Sequence, residues 1–143
     1  MKRRHILCDR DRCTGCMICE FACSAAKEGR FDLELSRIRV LHATPALTDV
    51  IACRFCRNTP CVKACPRGAL SLDEATQTIS LDKARCAGCG WCLEACPFGA
   101  IALDESVKTV IMCDLCPNHN QPQCIEFCPQ KALSLHVSVK GQG

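Results

Sequence analysis

The sequence predicts a small α+β fold of duplicated design, in which short helices and short hairpins surround something other than an ordinary side-chain core. Three observations predict it. The chain of 143 residues holds 17 cysteines but only five Phe, one Trp and no Tyr, so the large side chains that normally fill an interior are scarce. One cysteine spacing recurs four times along the chain. Short alternating segments follow the second, third and fourth copies, as hairpins returning to a common centre would.

A chain this rich in cysteine is either a disulfide scaffold or a metal binder. Residues 1–12 are basic and then acidic, with Ile6 and Leu7 the only adjacent large apolar pair, so no signal-peptide core is legible. No run approaches the ~18 apolar residues of a spanning helix. A cytoplasmic location without a membrane span is therefore expected, and in that reducing compartment thiols stay available as metal ligands.

The four copies are Cys13, Cys16, Cys19, Cys23; Cys53, Cys56, Cys61, Cys65; Cys86, Cys89, Cys92, Cys96; and Cys113, Cys116, Cys124, Cys128. Only Cys8 stands outside them. The third copy, followed by Pro97, is the bacterial C-x2-C-x2-C-x3-C-P run of 4Fe-4S proteins, in which the fourth cysteine ligates the neighbouring cluster. Three thiolates two residues apart lie on a tight loop able to wrap one cubane, and Gly15 and Gly88 give that loop backbone freedom. Structural zinc takes four ligands, usually as two separated pairs, so a zinc-binding interaction module would leave cysteines over.

Between the third and fourth cysteine of each copy the chain reads as one helical turn, over residues 20–22, 62–64, 93–95 and 125–127. Cysteines four apart share a face with an offset of about 6 Å along the axis, which suits thiolates reaching two different clusters. Pro66, Pro97 and Pro129 end three of these turns. The first copy has Ser24 instead, and its helix is expected to run on to Gly29. Hairpins are expected over 69–72 with 78–81, over 100–103 with 107–112, and over 37–42 with 49–52, Pro45 lying in the last turn.

The formal charge of +3 counts every thiol as neutral. Sixteen thiolates on four cubanes would bring the chain to roughly −5, so the slight basicity compensates cluster charge and is no nucleic-acid footprint. Arg54, Arg57, Lys63, Arg67, Lys83 and Arg85 stand beside the ligands and are read first as solvated surface, second as groups that raise cluster potentials. His119, in the inserted loop of the fourth copy, is read as an ordinary loop histidine, and Trp91 as a cover against water. His5, His42 and His136 carry no site signal, and Cys8 is read as a small buried hydrophobe.

With all sixteen motif cysteines in place over nearly the whole chain, the sequence resembles the four-cluster ferredoxin-like electron-transfer subunits of multi-subunit oxidoreductases. These accompany tungsten or molybdenum pterin enzymes, carbon monoxide dehydrogenases and hydrogenases. The resemblance implies a duplicated bacterial-ferredoxin-like fold around four 4Fe-4S clusters, with motifs paired in a nested way. One site would use Cys13, Cys16, Cys19 and Cys128, and its mate Cys113, Cys116, Cys124 and Cys23. The inner two would use Cys53, Cys56, Cys61 and Cys96, and Cys86, Cys89, Cys92 and Cys65. Residues 1–50 with 104–143 would then form an outer half, and 51–103 an inner half. Sequential pairing, which exchanges the fourth ligands, stays open.

No phosphate-binding loop, nucleophile motif or dinucleotide fingerprint is present, so the expected role is electron transfer and not catalysis. The expected partner is a catalytic oxidoreductase subunit. Residues 31–40, with the run Ser36, Arg37, Ile38, Arg39, Val40, look most like small subunits of tungsten aldehyde oxidoreductases. Carbon monoxide dehydrogenase, formate dehydrogenase and hydrogenase remain alternatives, as do a free polyferredoxin shuttle, a further electron-accepting subunit or ferredoxin, and self-stacking of copies. No nucleic-acid partner and no direct membrane span are expected.

Overall fold

Among the described residues there are eight short strands, and each cysteine motif contributes one helix. The computed structural model describes residues 3–138. In chain order the elements are β1 (Arg3–Cys8), α1 (Ile18–Glu28), a 3-10 turn (Leu33–Leu35), β2 (Arg39–Thr44), β3 (Leu47–Ile51), α2 (Pro60–Ala64), β4 (Leu70–Asp73), β5 (Thr78–Leu81), α3 (Trp91–Ala95), β6 (Ala102–Asp104), β7 (Thr109–Ile111), α4 (Gln123–Phe127) and β8 (Leu133–Ser138). The strands form four separate antiparallel pairs, β1–β8, β2–β3, β4–β5 and β6–β7. Among the described residues no helix is long and apolar enough to cross a membrane.

The helix expected to run on in the first motif does so. Without a proline after Cys23, α1 continues for eleven residues and stops at Gly29, whose left-handed backbone (φ 71°) closes the end with an N–H bond to the Ala25 carbonyl. The other three helices are single turns of five residues. Each gives way at the fourth cysteine, where the backbone turns extended ahead of Pro66, Pro97 or Pro129.

Two of the three expected hairpins share one turn. In β4–β5 the Asp73 carboxylate accepts the Ala75 N–H at 2.9 Å and the Gln77 N–H reaches the Asp73 carbonyl at 2.7 Å. In β6–β7 Asp104 accepts the Ser106 N–H at 3.0 Å and the Lys108 N–H at 2.9 Å on its carbonyl. Because the turn claims Asp104 to Lys108, the second hairpin is shorter than its alternation suggests. The third hairpin starts two residues later than expected, because Arg37 is buried and committed elsewhere, its guanidinium donating to the Leu35 carbonyl (2.8 Å) and to Glu28 (2.7 Å).

The β1–β8 ribbon was not anticipated. It pairs Arg3 with Ser138 through to Cys8 with Leu133, joining the two ends of the described chain. The interior is built from Ile6, Ile38, Val50, Phe55, Leu70, Ile79, Ile101, Val110 and Leu133, interleaved with cysteines. Phe55, Ile38 and Val110 are no more than 2% exposed. Around this centre α1 packs on α4 and α2 on α3.

Across the ribbon His5 meets its partner His136 edge to face, with ring centroids 5.0 Å apart. Burial, and then the positive charge of Arg54, push the His5 pKa down from 6.5 to about 4. The folded state thus binds fewer protons than the unfolded chain below pH 6.5, and stability is lost as pH falls from 6.5 towards 4. At pH 5 the protein is expected to be about 2 kcal/mol less stable than at pH 7 from this group, and His5→Gln to remove most of that difference in thermal melts.

Candidate metal centre

Each cysteine loop is bent at the same place. The residue just before the second cysteine adopts the left-handed backbone in all four copies: Gly15 (φ 73°), Phe55 (49°), Gly88 (69°) and Leu115 (63°). In the first and third motifs the three cysteines of the loop line one common recess. Two positions are glycine for a further reason. A Cβ at Gly88 would lie 2.5 Å from the Lys108 carbonyl oxygen, and one at Gly15 would lie 2.5 Å from the His42 ring.

The exits repeat as well. Backbone N–H groups of Ala69, Ala100 and Ala132 approach the sulfurs of Cys65, Cys96 and Cys128 at 3.3, 3.4 and 3.4 Å. In each, the residue ahead of the alanine is left-handed, at Gly68 (φ 63°), Gly99 (65°) and Lys131 (55°). The first motif has no such turn, and there the Arg37 N–H serves Cys23 at 3.2 Å. The first cysteines of the second and fourth motifs gain theirs inside the loop, from Phe55 to Cys53 and Leu115 to Cys113, both at 3.4 Å. Such donors favour the thiolate over the thiol.

The fourth cysteines sit with other motifs. Cys128 lines one recess with Cys13, Cys16 and Cys19, walled by Val40, Val50 and Leu133. Cys65 lines another with Cys86, Cys89 and Cys92, walled by Leu70, Leu81 and Val110. Cys53 is close enough to Cys61, Cys56 and Cys96 for their charges to raise its pKa, and Cys124 stands in the same relation to Cys113, Cys23 and Cys116. Neighbouring groups touch electrostatically too: Cys124 with Cys19, Cys113 with Cys53, and Cys92 with Cys61. Among the described residues no three His, Cys, Asp or Glu side chains are placed to hold a single metal ion.

Burial dominates the electrostatics. It pushes the Cys19 and Cys53 thiols up to about 12 and Cys92 up to about 11, with Cys113 and Cys124 higher still. Cys65 goes the other way: slight desolvation is outweighed by the N–H groups of Ala69, Arg67, Leu70 and Gly68, which bring it below its ordinary value. Four thiols in an apolar setting, with amide donors aimed at sulfur, fit an iron-sulfur cube, whose iron takes the place of the thiol protons.

Two expectations need revision. Trp91 is 61% exposed and opens α3 at the surface, so it covers little. Cys8 is only half-buried, packed against the edge of the hydrophobic centre. His119 is an exposed loop residue whose N–H bonds to the Cys116 carbonyl at 3.0 Å. Of the basic residues, Arg54 stacks 5.1 Å from the Phe98 ring centroid and Arg67 donates to the Arg85 carbonyl at 2.8 Å. A cleft around Arg3, His5 and Arg54 has no local signal in the sequence, because it depends on the ribbon between β1 and β8.

Residues 47–138 match a family model described as a 4Fe-4S dicluster domain. The polyferredoxin-like subunit of aliphatic sulfonate oxidoreductase from Pyrococcus furiosus is 39% identical over 127 residues, covering 89% of this chain and 72% of that one. The thiosulfate reductase electron transfer subunit PhsB of Salmonella typhi is 34% identical, covering 90% of this chain and 72% of its own. A solved structure of the active site complex BamBC of benzoyl coenzyme A reductase with 1,5-dienoyl-CoA is similar in fold. It has a TM-score of 0.59 at 21% identity, over 100% of this chain and 80% of that one.

The bends yield opposite expectations for two substitutions. Gly88→Ala meets immovable backbone as well as left-handed strain, and should cost about 2 kcal/mol or more in thermal melts and lower the bound iron. Lys131→Gly relieves that strain at the fourth exit and should stabilise by up to about 1 kcal/mol.

Proposed function

The chain belongs to the 4Fe-4S dicluster domain family, and from that premise we propose that it carries four 4Fe-4S clusters and relays single electrons between a catalytic oxidoreductase subunit and an electron carrier. The observation that carries the reading is the exchange of fourth cysteines, Cys128 lining the recess of the first motif and Cys65 that of the third. It supports the nested ligand sets Cys13, Cys16, Cys19, Cys128; Cys113, Cys116, Cys124, Cys23; Cys53, Cys56, Cys61, Cys96; and Cys86, Cys89, Cys92, Cys65. With them go an outer half of residues 1–50 and 104–143 and an inner half of 51–103.

When bound, such clusters supply reversible one-electron transfer. The chain's own residues do the rest. Sixteen thiolates bind, and amide N–H groups at Cys23, Cys53, Cys65, Cys96, Cys113 and Cys128 stabilise the negative charge on sulfur. Val40, Val50 and Leu133 give the set of Cys13 an apolar wall, and Leu70, Leu81 and Val110 do the same for the set of Cys86. The electrostatic influence of Cys19 on Cys124, of Cys53 on Cys113 and of Cys61 on Cys92 supports an arrangement of the four sets in one row. Its ends are the sets with the exposed ligands, Cys16 and Cys89, where an electron would enter or leave.

The relatives named above belong to a sulfonate oxidoreductase and a thiosulfate reductase, which supports a large catalytic partner over a free shuttle. The likeness of residues 31–40 to small subunits of tungsten aldehyde oxidoreductases makes that class the first to test by anaerobic co-purification.

Serine substitutions followed by low-temperature EPR of the reduced protein test the ligand sets. Nested exchange predicts that Cys128→Ser and Cys13→Ser alter the same signal, and Cys23→Ser and Cys113→Ser another. If Cys65→Ser instead shares its signal with Cys13→Ser, the pairing is sequential and the row must be redrawn.

A further inference from the structure

Beside Cys56 the surface opens into a cleft of about 400 Å3 whose wall carries the side chains of Arg3, His5, Arg54 and Arg57, with Phe98 at its edge. Among the described residues no Asp or Glu lines it. The volume is that of a small-molecule site. Its basic groups are held in place before any ligand arrives. Arg3 is only 7% exposed and donates to the Phe55 carbonyl at 3.1 Å. The Arg54 guanidinium lies 5.1 Å from the Phe98 ring centroid and 3.5 Å from the His5 Nε2. Guanidiniums fixed by a carbonyl, a ring and an imidazole lose little freedom on binding, and their fork of N–H donors matches oxyanions.

We propose that this cleft binds a small oxyanion, of the phosphate or carboxylate class, and that binding is linked to the redox state of the cluster held by Cys56. The second half rests on the ligand set proposed above. Cys56 is the one sulfur in the cleft wall, so a bound anion and an electron added to that cluster draw on the same positive field. Each therefore disfavours the other, and by linkage the anion binds the oxidised protein more tightly and lowers the potential of that one cluster. The other three clusters, whose cysteines do not line the cleft, shift less.

The test is an EPR-monitored redox titration of the anaerobic holoprotein, poised with dithionite and mediators. It is run in inorganic phosphate, in succinate and in chloride at one ionic strength. A tenfold preference for the oxidised form appears as a fall of about 59 mV that is largest in the signal altered by Cys56→Ser. A fall in phosphate alone marks a tetrahedral oxyanion, a fall in succinate alone a carboxylate, and either supports the site. Arg54→Gln and Arg57→Gln, checked for full iron content, should each shrink the effect. Equal potentials in all three salts, or a fall that persists undiminished in both variants, would overturn the proposal. Preparations in which the wild-type cluster signals themselves are missing would instead bring down the cluster assignment, and the redox linkage with it.

Discussion

Two-stranded ribbons do not hold themselves together in water, and among the described residues this chain has no larger sheet. Three of its four helices are single turns, far below the length at which a helix is stable alone. Every element is therefore marginal by itself and depends on a shared centre. The centre is unusual in that cysteines alternate with a thin set of aliphatic side chains, and Phe55 is the one aromatic ring fully within it. A centre with so few large apolar side chains gains from a further tie, and cluster ligation supplies one, because binding free energy at a site absent from the unfolded chain is folding free energy.

The same economy explains why the fold repeats itself at every scale. A left-handed residue bends each cysteine loop, a single helical turn places the third and fourth cysteines on different recesses, and an extended exit with an alanine N–H returns to sulfur. The first motif departs from this because Ser24 replaces the proline. Its helix runs on, Ser24 becomes fully buried, bonding both the Phe21 carbonyl and the Asp32 N–H at 3.1 Å, and the chain returns through Arg37 to supply the missing donor at Cys23. One residue change thus reroutes the backbone, while the amide donor is kept.

Much of this was legible from spacing alone. Cysteines at fixed intervals announce their own chemistry, and turn residues such as Asp73, Asp104 and Pro45 sit where local backbone demands them. What escaped notice was set by partners far away in sequence. The ribbon that joins Arg3–Cys8 to Leu133–Ser138 pairs residues more than a hundred positions apart, and nothing in either segment names the other. The half-buried setting of Cys8 and the cleft around Arg54 follow from that ribbon, so neither had a local signal. The exposure of Trp91 has a related reason: an aromatic between two ligands looks like cover, yet as the first residue of α3 it stands at the surface. Lys131 at a left-handed position was hidden because its two counterparts are glycine and it is not.

The most direct test of the central claim is a count of iron and acid-labile sulfide per chain in protein purified without oxygen. Four cubanes predict about sixteen of each. About eight of each would mean that only two of the sets are filled, and zinc in place of iron would contradict the account of the cysteine centre altogether.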